Sequence, residues 1–480
     1  MRALLLIHRY LGIIGGALMV SWCASGFVMM YVSYPRLTEP ERLASLEPIA
    51  WSACLGSPNA LAEDAASELH VEMLAGRPIL REQRAAGPAL LDLCTGQPLA
   101  RVTPATAATV AAAYLQQKAQ LVELLDQDQW TVQGQFRSER PLYHFVAKDE
   151  SRREVYVSSV TGRLVQATTR RQRFWNWLGA IPHWLYVFEL RRHPGPWAQV
   201  VIGSSLLGCF LTLTGLYLGF RRLPVLSWRA LRSAHAWHHS TGVVFGLFTL
   251  SWVGSGLMTM QPWGWLDSSP LARPDVRGRP PSLAQLQTAL RALSTTLEGS
   301  QFVSIESRPN DGAIFFIART ASGHAQRLDA NGRPAPFTKR DWAALADRLG
   351  GSATRLTHED AYLFAHHDEP VSLPAYRIQL SDPAQHTLYF DADTGALTAQ
   401  LDSNARAQRW LEGLHRLDLF PALRRRPVWD LLVLSLLTGV SAVCVTGAWL
   451  AYRGLFVRGR KVRVPKGDVA GLARFVDRAP

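Results

Sequence analysis

Four histidines stand where a titratable ring is unusual. His8 opens the apolar stretch "HRYLGIIGGALMVSWCASG", and His238 opens "HHSTGVVFGLFTLSWVGSG". His183, in "PHWLYVF", and His415, in "LHRLDLF", each stand a short way ahead of a further apolar stretch. Ionisable side chains at the ends of membrane spans are costly, and most are functional or snorkel to the interface. Two neutral imidazoles facing each other across a gap are the axial ligand pair of a b-type haem. His8 with His238, and His183 with His415, would hold two such haems (haem b), one near each face of a membrane. That arrangement would move electrons from one side to the other. The competing reading is interfacial anchoring, as for other polar residues at span edges. His235 and His239 lie beside His238 and are alternative ligands. His239 corresponds to Arg9 in the first stretch, so symmetry favours His238.

The elements that must position these rings follow from the apolar patterning. The 480 residues are 48% hydrophobic and 19% charged. Four stretches, near 4–31, 197–220, 242–260 and 428–452, reach the roughly 20 residues that a bilayer crossing needs. The first has the basic start and small residues of a secretory signal. Its apolar run continues through "FVMMYV", and the same pattern recurs mid-chain, so it reads as a span. The expected order is a span at 1–31, an outer domain at 32–172, and an interfacial helix with the second span at 173–222. A short loop at 223–237 and a third span at 238–262 follow. A second outer domain at 263–405, an interfacial helix with the fourth span at 406–453, and a basic tail at 454–480 complete it. Part of the net charge of +13 falls on short span flanks: Arg2, Arg9, Arg221, Arg222, Arg229, Arg232 and "RGLFVRGRKVRVPK". Short basic flanks stay inside, which puts both termini in the cytoplasm and both long segments outside. Arg191, Arg192, Arg424, Arg425 and Arg426 fall on the long-segment side, where long translocated segments largely escape the rule. The basic excess therefore reads as topology, and no nucleic-acid partner is expected.

The halves of the chain repeat one another. Gly12, Ser21, Trp22, Ser25 and Gly26 recur with His8 as Gly242, Ser251, Trp252, Ser255 and Gly256 with His238. His183, Phe188, Trp197, Thr214 and Gly215 recur as His415, Phe420, Trp429, Thr446 and Gly447. One unit of span, outer domain and span is thus read as a tandem duplication. Two units of two spans insert with the same orientation, related by a pseudo-two-fold axis along the membrane normal. Matched residues then lie at one depth and can face each other. His8 and Ser25, 17 helical residues apart, are separated by about 25 Å at 1.5 Å per residue, enough for a haem at each end. Gly12, Gly15, Gly16, Gly242, Gly246, Gly26 and Gly256 allow a flat macrocycle or another helix to come close. Trp22 and Trp252 read as packing or interface residues beside it.

The outer segments read as α+β. "REVYVSSVTGRLV" and "TLYFDADTGALT" alternate apolar and polar residues and break at Thr-Gly, giving strand, turn and strand. "LLDLCTGQPLA" and "RLDANGRPAPF" show the same shape earlier, so each outer domain is expected to hold two small units. Helices are expected in "ATAATVAAAYLQQ" and "SLAQLQTALRAL". Cys54 and Cys94 lie in the first outer segment, where an oxidising compartment permits a bridge. Cys23, Cys209 and Cys444 lie in spans. No CxxC or CxxCH pattern occurs, so c-type haem attachment and iron–sulfur ligation are not expected. No nucleotide, flavin or phosphate-loop motif appears. The loop "HEDAYLFAHHDEP", with His358, His366 and His367, reads as a solvated loop or a metal contact, and His144 as a structural histidine on a strand.

"HRYLG…SG" heading a span, "LH" or "PH" ahead of the next, and "Y-x-D-x-x-TG" hairpins outside resemble the PepSY-associated transmembrane helix family. Within it, the chain is most similar to four-span, iron-regulated ferric-siderophore reductases. The resemblance implies four transmembrane helices with two extracytoplasmic PepSY-like domains, in a bacterial inner membrane. It also implies reduction of a ferric siderophore or other ferric chelate in the periplasm, with electrons from quinol or another donor. A PepSY-domain regulatory or protein-binding membrane protein without redox activity is the alternative. A transporter is a weaker third, because the mid-span regions carry no charged pairs.

Overall fold

The apolar runs fold as helices Arg2–Met29, Pro194–Arg221, Ala234–Thr259 and Val428–Tyr452. Each is long and apolar enough to cross a membrane. The computed structural model describes residues 2–53, 69–84, 87–99, 101–221, 233–272, 276, 278–308, 310–365 and 371–457. The third helix begins at Ala234, earlier than the hydropathy pattern suggests. "AHAWHHST" contains no helix breaker, and the histidines continue the first turns. His238 therefore stands inside the helix.

The chain divides into two compact units. Met1–Ala24, Gly203–Gly254 and Leu432–Pro480 form one, and Ser25–Ile202 with Ser255–Leu431 form the other. The first unit consists of span helices. Ile14, Phe210, Val244 and Leu247 are between 61% and 70% exposed, so its outward face is apolar and suits lipid. Intrahelical hydrogen bonding satisfies the backbone there, as the bilayer interior requires.

Among the described residues, the second unit carries fourteen strands. β1 (Leu69–Leu74), β2 (Arg77–Arg84) and β3 (Gly87–Asp92) come from the first long segment, followed by β4 (Ala119–Leu125), β5 (Leu142–Ala147), β6 (Glu154–Ser158) and β7 (Leu164–Thr168). The second long segment gives β8 (Phe302–Ser307), β9 (Phe316–Thr320), β10 (Ala325–Leu328), β11 (Gly351–Leu356), β12 (Ala375–Leu380), β13 (Thr387–Asp391) and β14 (Leu397–Leu401). β4 to β7 form one four-stranded antiparallel sheet and β11 to β14 another. The Thr-Gly turns are where the sequence puts them. Gly162 (φ +68°) and Gly395 (φ +70°) take the left-handed conformation that glycine adopts freely. The two expected outer helices are Pro104–Leu115 and Leu283–Thr296, capped by Thr103 and Ser282. A third, Lys339–Arg348, is closed by a Thr338–Asp341 capping box.

The remaining six strands do not form two small units. They join in one sheet, ordered β10-β9-β8-β1-β2-β3. β1 and β8 pair antiparallel, with Val71 opposite Ile305 and Glu72 opposite Ser304. The sequence reading, which confined each segment to its own domain, is corrected here. β1 and β8 would each be a bare edge alone, and pairing them satisfies both. Apolar side chains of both segments share the core beneath the seam: Val71, Leu80 and Leu91 with Leu286, Leu290, Leu293 and Ile305. Burying that shared area is the main favourable term in joining them.

The seam also holds charge. Glu72 is fully buried and meets Arg42 at 2.8 Å, Arg81 at 2.7 Å and His70 at 3.0 Å. His70 also reaches Ser304 across the seam at 2.7 Å. Burial alone would raise the Glu72 carboxyl; His70, Arg81 and Arg42 hold it well below the usual carboxylate range. Cys94, after β3, is disulfide-bonded. Cys54 lies outside the described residues.

Candidate functional site

In the first unit, His8 and His238 face each other. Their ring centres are 6.2 Å apart and tilted by 35°. His8 Nδ1 lies 3.1 Å from the Leu211 carbonyl oxygen and 3.1 Å from Thr214 Oγ1. A carbonyl only accepts, so Nδ1 carries the proton and Nε2 of the neutral ring keeps its lone pair. His238 repeats this: Nδ1 donates to the Val443 carbonyl at 3.1 Å, with Thr446 Oγ1 at 3.3 Å. Both hydroxyls also bond back to helix carbonyls, which fixes their place.

Glycine lets each ring lie so close to its neighbouring helix. A Cβ on Gly215 would stand 2.8 Å from His8 Cε1, and one on Gly447 would stand 2.9 Å from His238 Cε1. Thr214-Gly215 and Thr446-Gly447 recur in the sequence without an evident role. The structure gives them one: the threonine sits beside Nδ1, and the glycine leaves room for the ring. His239 points elsewhere, its Nε2 donating to the Gly219 carbonyl at 3.3 Å. Among the three neighbouring histidines, His238 is the one that faces His8.

In the second unit, His183 and His415 face each other with ring centres 6.2 Å apart and planes at 61°. His183 lies in helix Ala180–Trp184 and His415 near the end of helix Ser403–Arg416. His183 Nδ1 meets Ser25 Oγ at 3.1 Å, and His415 Nδ1 meets Ser255 Oγ at 3.2 Å. The repeat-matched serines thus stand beside the two rings. A Cβ on Gly256 would stand 3.1 Å from His415 Cε1.

Local sequence explains the placing of this pair. Thr169 and Gln172 form a capping box that starts helix Arg170–Leu178. Buried Asn176 ties that helix to the Ser33 carbonyl at 3.0 Å. Gly179 then turns the chain into the His183 helix. On the other side, Asp402 caps the His415 helix by accepting from Ala405 N at 2.7 Å. Two tryptophans act alike: Trp197 Nε1 donates to the Trp184 carbonyl at 2.9 Å, and Trp429 Nε1 to the Arg416 carbonyl at 2.8 Å. Each bond fixes the residue just after the histidine.

Other singled-out residues lie apart from the pairs. His144 stacks on Tyr156 at 4.7 Å within the β5–β6 sheet. Asp360 accepts from Tyr389 at 2.8 Å and Arg377 at 3.2 Å, a structural role. His366 and His367 lie outside the described residues. Among the described residues, no group of three or more His, Cys, Asp or Glu could hold a metal ion.

Long apolar helices joined to α+β sheet domains define a multi-span membrane protein with large soluble parts. The chain belongs to the PepSY-associated transmembrane region family, whose pattern matches residues 5–453. No curated protein matches the chain.

Proposed function

We propose that the chain is an electron-transfer protein of a bacterial cytoplasmic membrane. It holds two b-type haems and reduces ferric chelates of the siderophore class in the periplasm. The observation that carries the reading is the common 6.2 Å spacing of both histidine pairs. Metal–imidazole bonds are about 2.0–2.1 Å. With about 1.1 Å from each nitrogen to its ring centre, two imidazoles sharing one metal have centres about 6.3 Å apart. The pairs fit that figure. Each also offers only two ligands, with no third among the described residues, which suits a metal that brings its own equatorial set.

A haem held by His8 and His238, or by His183 and His415, would supply a reversible one-electron iron couple whose potential those histidines would tune. The chain's residues orient those ligands. Leu211, Thr214, Val443 and Thr446 fix the Nδ1 side of one pair, as Ser25 and Ser255 do for the other. Such outer partners set ring tautomer and ligand basicity. Gly215, Gly447 and Gly256 leave the rings room.

A tandem duplication supports the assignment, since matched residues of the two halves make each pair. The basic span flanks support cytoplasmic termini, and the disulfide at Cys94 supports an oxidising outer compartment. With no nucleotide or flavin motif in the sequence, a quinol or separate carrier is the proposed donor.

The test is the reduced-minus-oxidised visible spectrum of the detergent-purified protein with a haem-to-protein ratio. About two b-type haems per chain are expected from the two histidine pairs, and His8→Ala and His183→Ala should each remove one. Absence of haem bands after expression with ample haem would sink the assignment and leave the protein-binding reading of the outer domains.

A further inference from the structure

Strand β10 buries a charge that the fold leaves without a counter-ion. Arg327 is only 5% exposed. Its guanidinium carbon lies 3.5 Å from the ring centre of Phe315 and 3.8 Å from that of Phe337. Nη1 donates to the Ala335 carbonyl at 2.6 Å. Glu306, the acid on the same wall, is taken by Arg308 at 2.8 Å and Arg319 at 3.3 Å. Among the described residues no carboxylate pairs with Arg327; Asp341 acts on it only from a distance. Burial pushes the guanidinium down to about 10, which leaves it charged at neutral pH. A buried charge without a partner is costly, and cation–π contacts offset only part of that.

Arg327 lines a cavity of about 260 Å³ together with Glu306, Arg308, Asn310, Phe337 and Phe390. The first segment lacks this arrangement. The carbonyl of Arg327 accepts from Ala335 N as that of Leu90 accepts from Leu99 N, so the matching residue in the first segment is the apolar Leu90. A second cavity, lined by Glu39, Arg42, Glu139 and Arg163, lies against the first segment's own turn. There Arg42 is already held by Glu39 and Glu72, both at 2.8 Å. That cavity is neutralised from within, and the Arg327 cavity is not.

We propose that the Arg327 cavity binds a small carboxylate with an apolar body. The guanidinium edge presents the planar fork that matches a carboxylate, and Phe337 and Phe390 pack against the body. A cavity of about 150 Å³ takes benzene, so one of about 260 Å³ has room for benzoate. Inorganic phosphate shares the oxyanion chemistry but has nothing to set against the rings.

The experiment is isothermal titration of the detergent-solubilised full chain with benzoate and, separately, with inorganic phosphate. Benzoate should bind at one per chain, at least tenfold more tightly than phosphate. Arg327→Met should weaken it at least tenfold. Leu397→Trp fills the cavity from a rim residue that is 38% exposed. It leaves Arg327 and its rings in place and should abolish binding with an unchanged thermal midpoint. Absence of binding to millimolar benzoate, or equal binding by wild type and both variants, would overturn the proposal. Phosphate binding more tightly than benzoate would overturn the carboxylate assignment. No outcome depends on haem content.

Discussion

Gly215→Ala puts the histidine cradle to its sharpest test. In the middle of helix Pro194–Arg221, alanine is preferred over glycine by about 1 kcal/mol, so the helix itself gains. The added Cβ, however, would stand 2.8 Å from His8 Cε1, where ordinary contacts begin at 3.4 Å. The ring must withdraw by about 0.6 Å, three times the roughly 0.2 Å tolerance of a metal–ligand bond. Withdrawal also strains the 3.1 Å bond from Nδ1 to the Leu211 carbonyl. On the proposed two-haem reading, the expected outcome is a folded protein that has lost one haem, read from the haem-to-protein ratio and the spectrum. Gly447→Ala should do the same through His238, where the contact would be 2.9 Å. Gly203→Ala is the control: it lies on the same helix as Gly215, and its Cβ would meet nothing within 4 Å. A Gly215→Ala protein with two haems and an unshifted spectrum would refute the cradle argument.

Three further outcomes follow from the same geometry. Ser25→Ala or Ser255→Ala should weaken haem retention at the second pair by about 10–100-fold, measured by haem transfer to apomyoglobin, and leave the first pair intact. Glu72→Gln strands Arg42 and Arg81 without their shared anion and should destabilise the sheet domains by about 3–5 kcal/mol in denaturant unfolding. The pH dependence has a definite sign. The folded carboxyl of Glu72 is depressed well below the ordinary glutamate value of 4.5. Its stabilisation is full above that value and is lost as pH falls through the lower folded value; acid titration of Glu72→Gln should show a shallower loss. Cys94→Ser removes the disulfide and should lower stability by about 2–5 kcal/mol, with unfolding made insensitive to reductant.

The spans and the hairpins were legible because each depends on local pattern. A run such as "LLVLSLLTGVSAVCV" needs no partner to declare itself, and Thr161-Gly162 and Thr394-Gly395 mark their turns by backbone chemistry alone. The facing of His8 with His238 and of His183 with His415 was legible through repetition, since matched residues of the two halves were expected at one depth. Their cradles were not. Thr214 and Gly215 lie on a different helix from His8, and only tertiary packing brings them together. The joined sheet was hidden for the same reason: β1 looks alike whether its edge meets β8 or water. Arg327 escaped notice because "AQRLD" reads as an ordinary exposed strand, and burial between Phe315 and Phe337 is a property of the assembled domain.

The β1–β8 seam makes the order of synthesis matter. His70 pairs in register with Glu306, and two spans separate them in the chain. Until the second long segment has emerged, β1 has an open edge, and Glu72 lacks the Ser304 strand beside it. The first long segment therefore lacks part of its shared core until the second has been made. It must wait, partly assembled, through the insertion of two helices. Contacts so distant in sequence fold slowly, and a waiting strand edge invites mispairing. Expressing the halves as separate chains would open one edge of β1 in the first and one edge of β8 in the second, each complementary to the other.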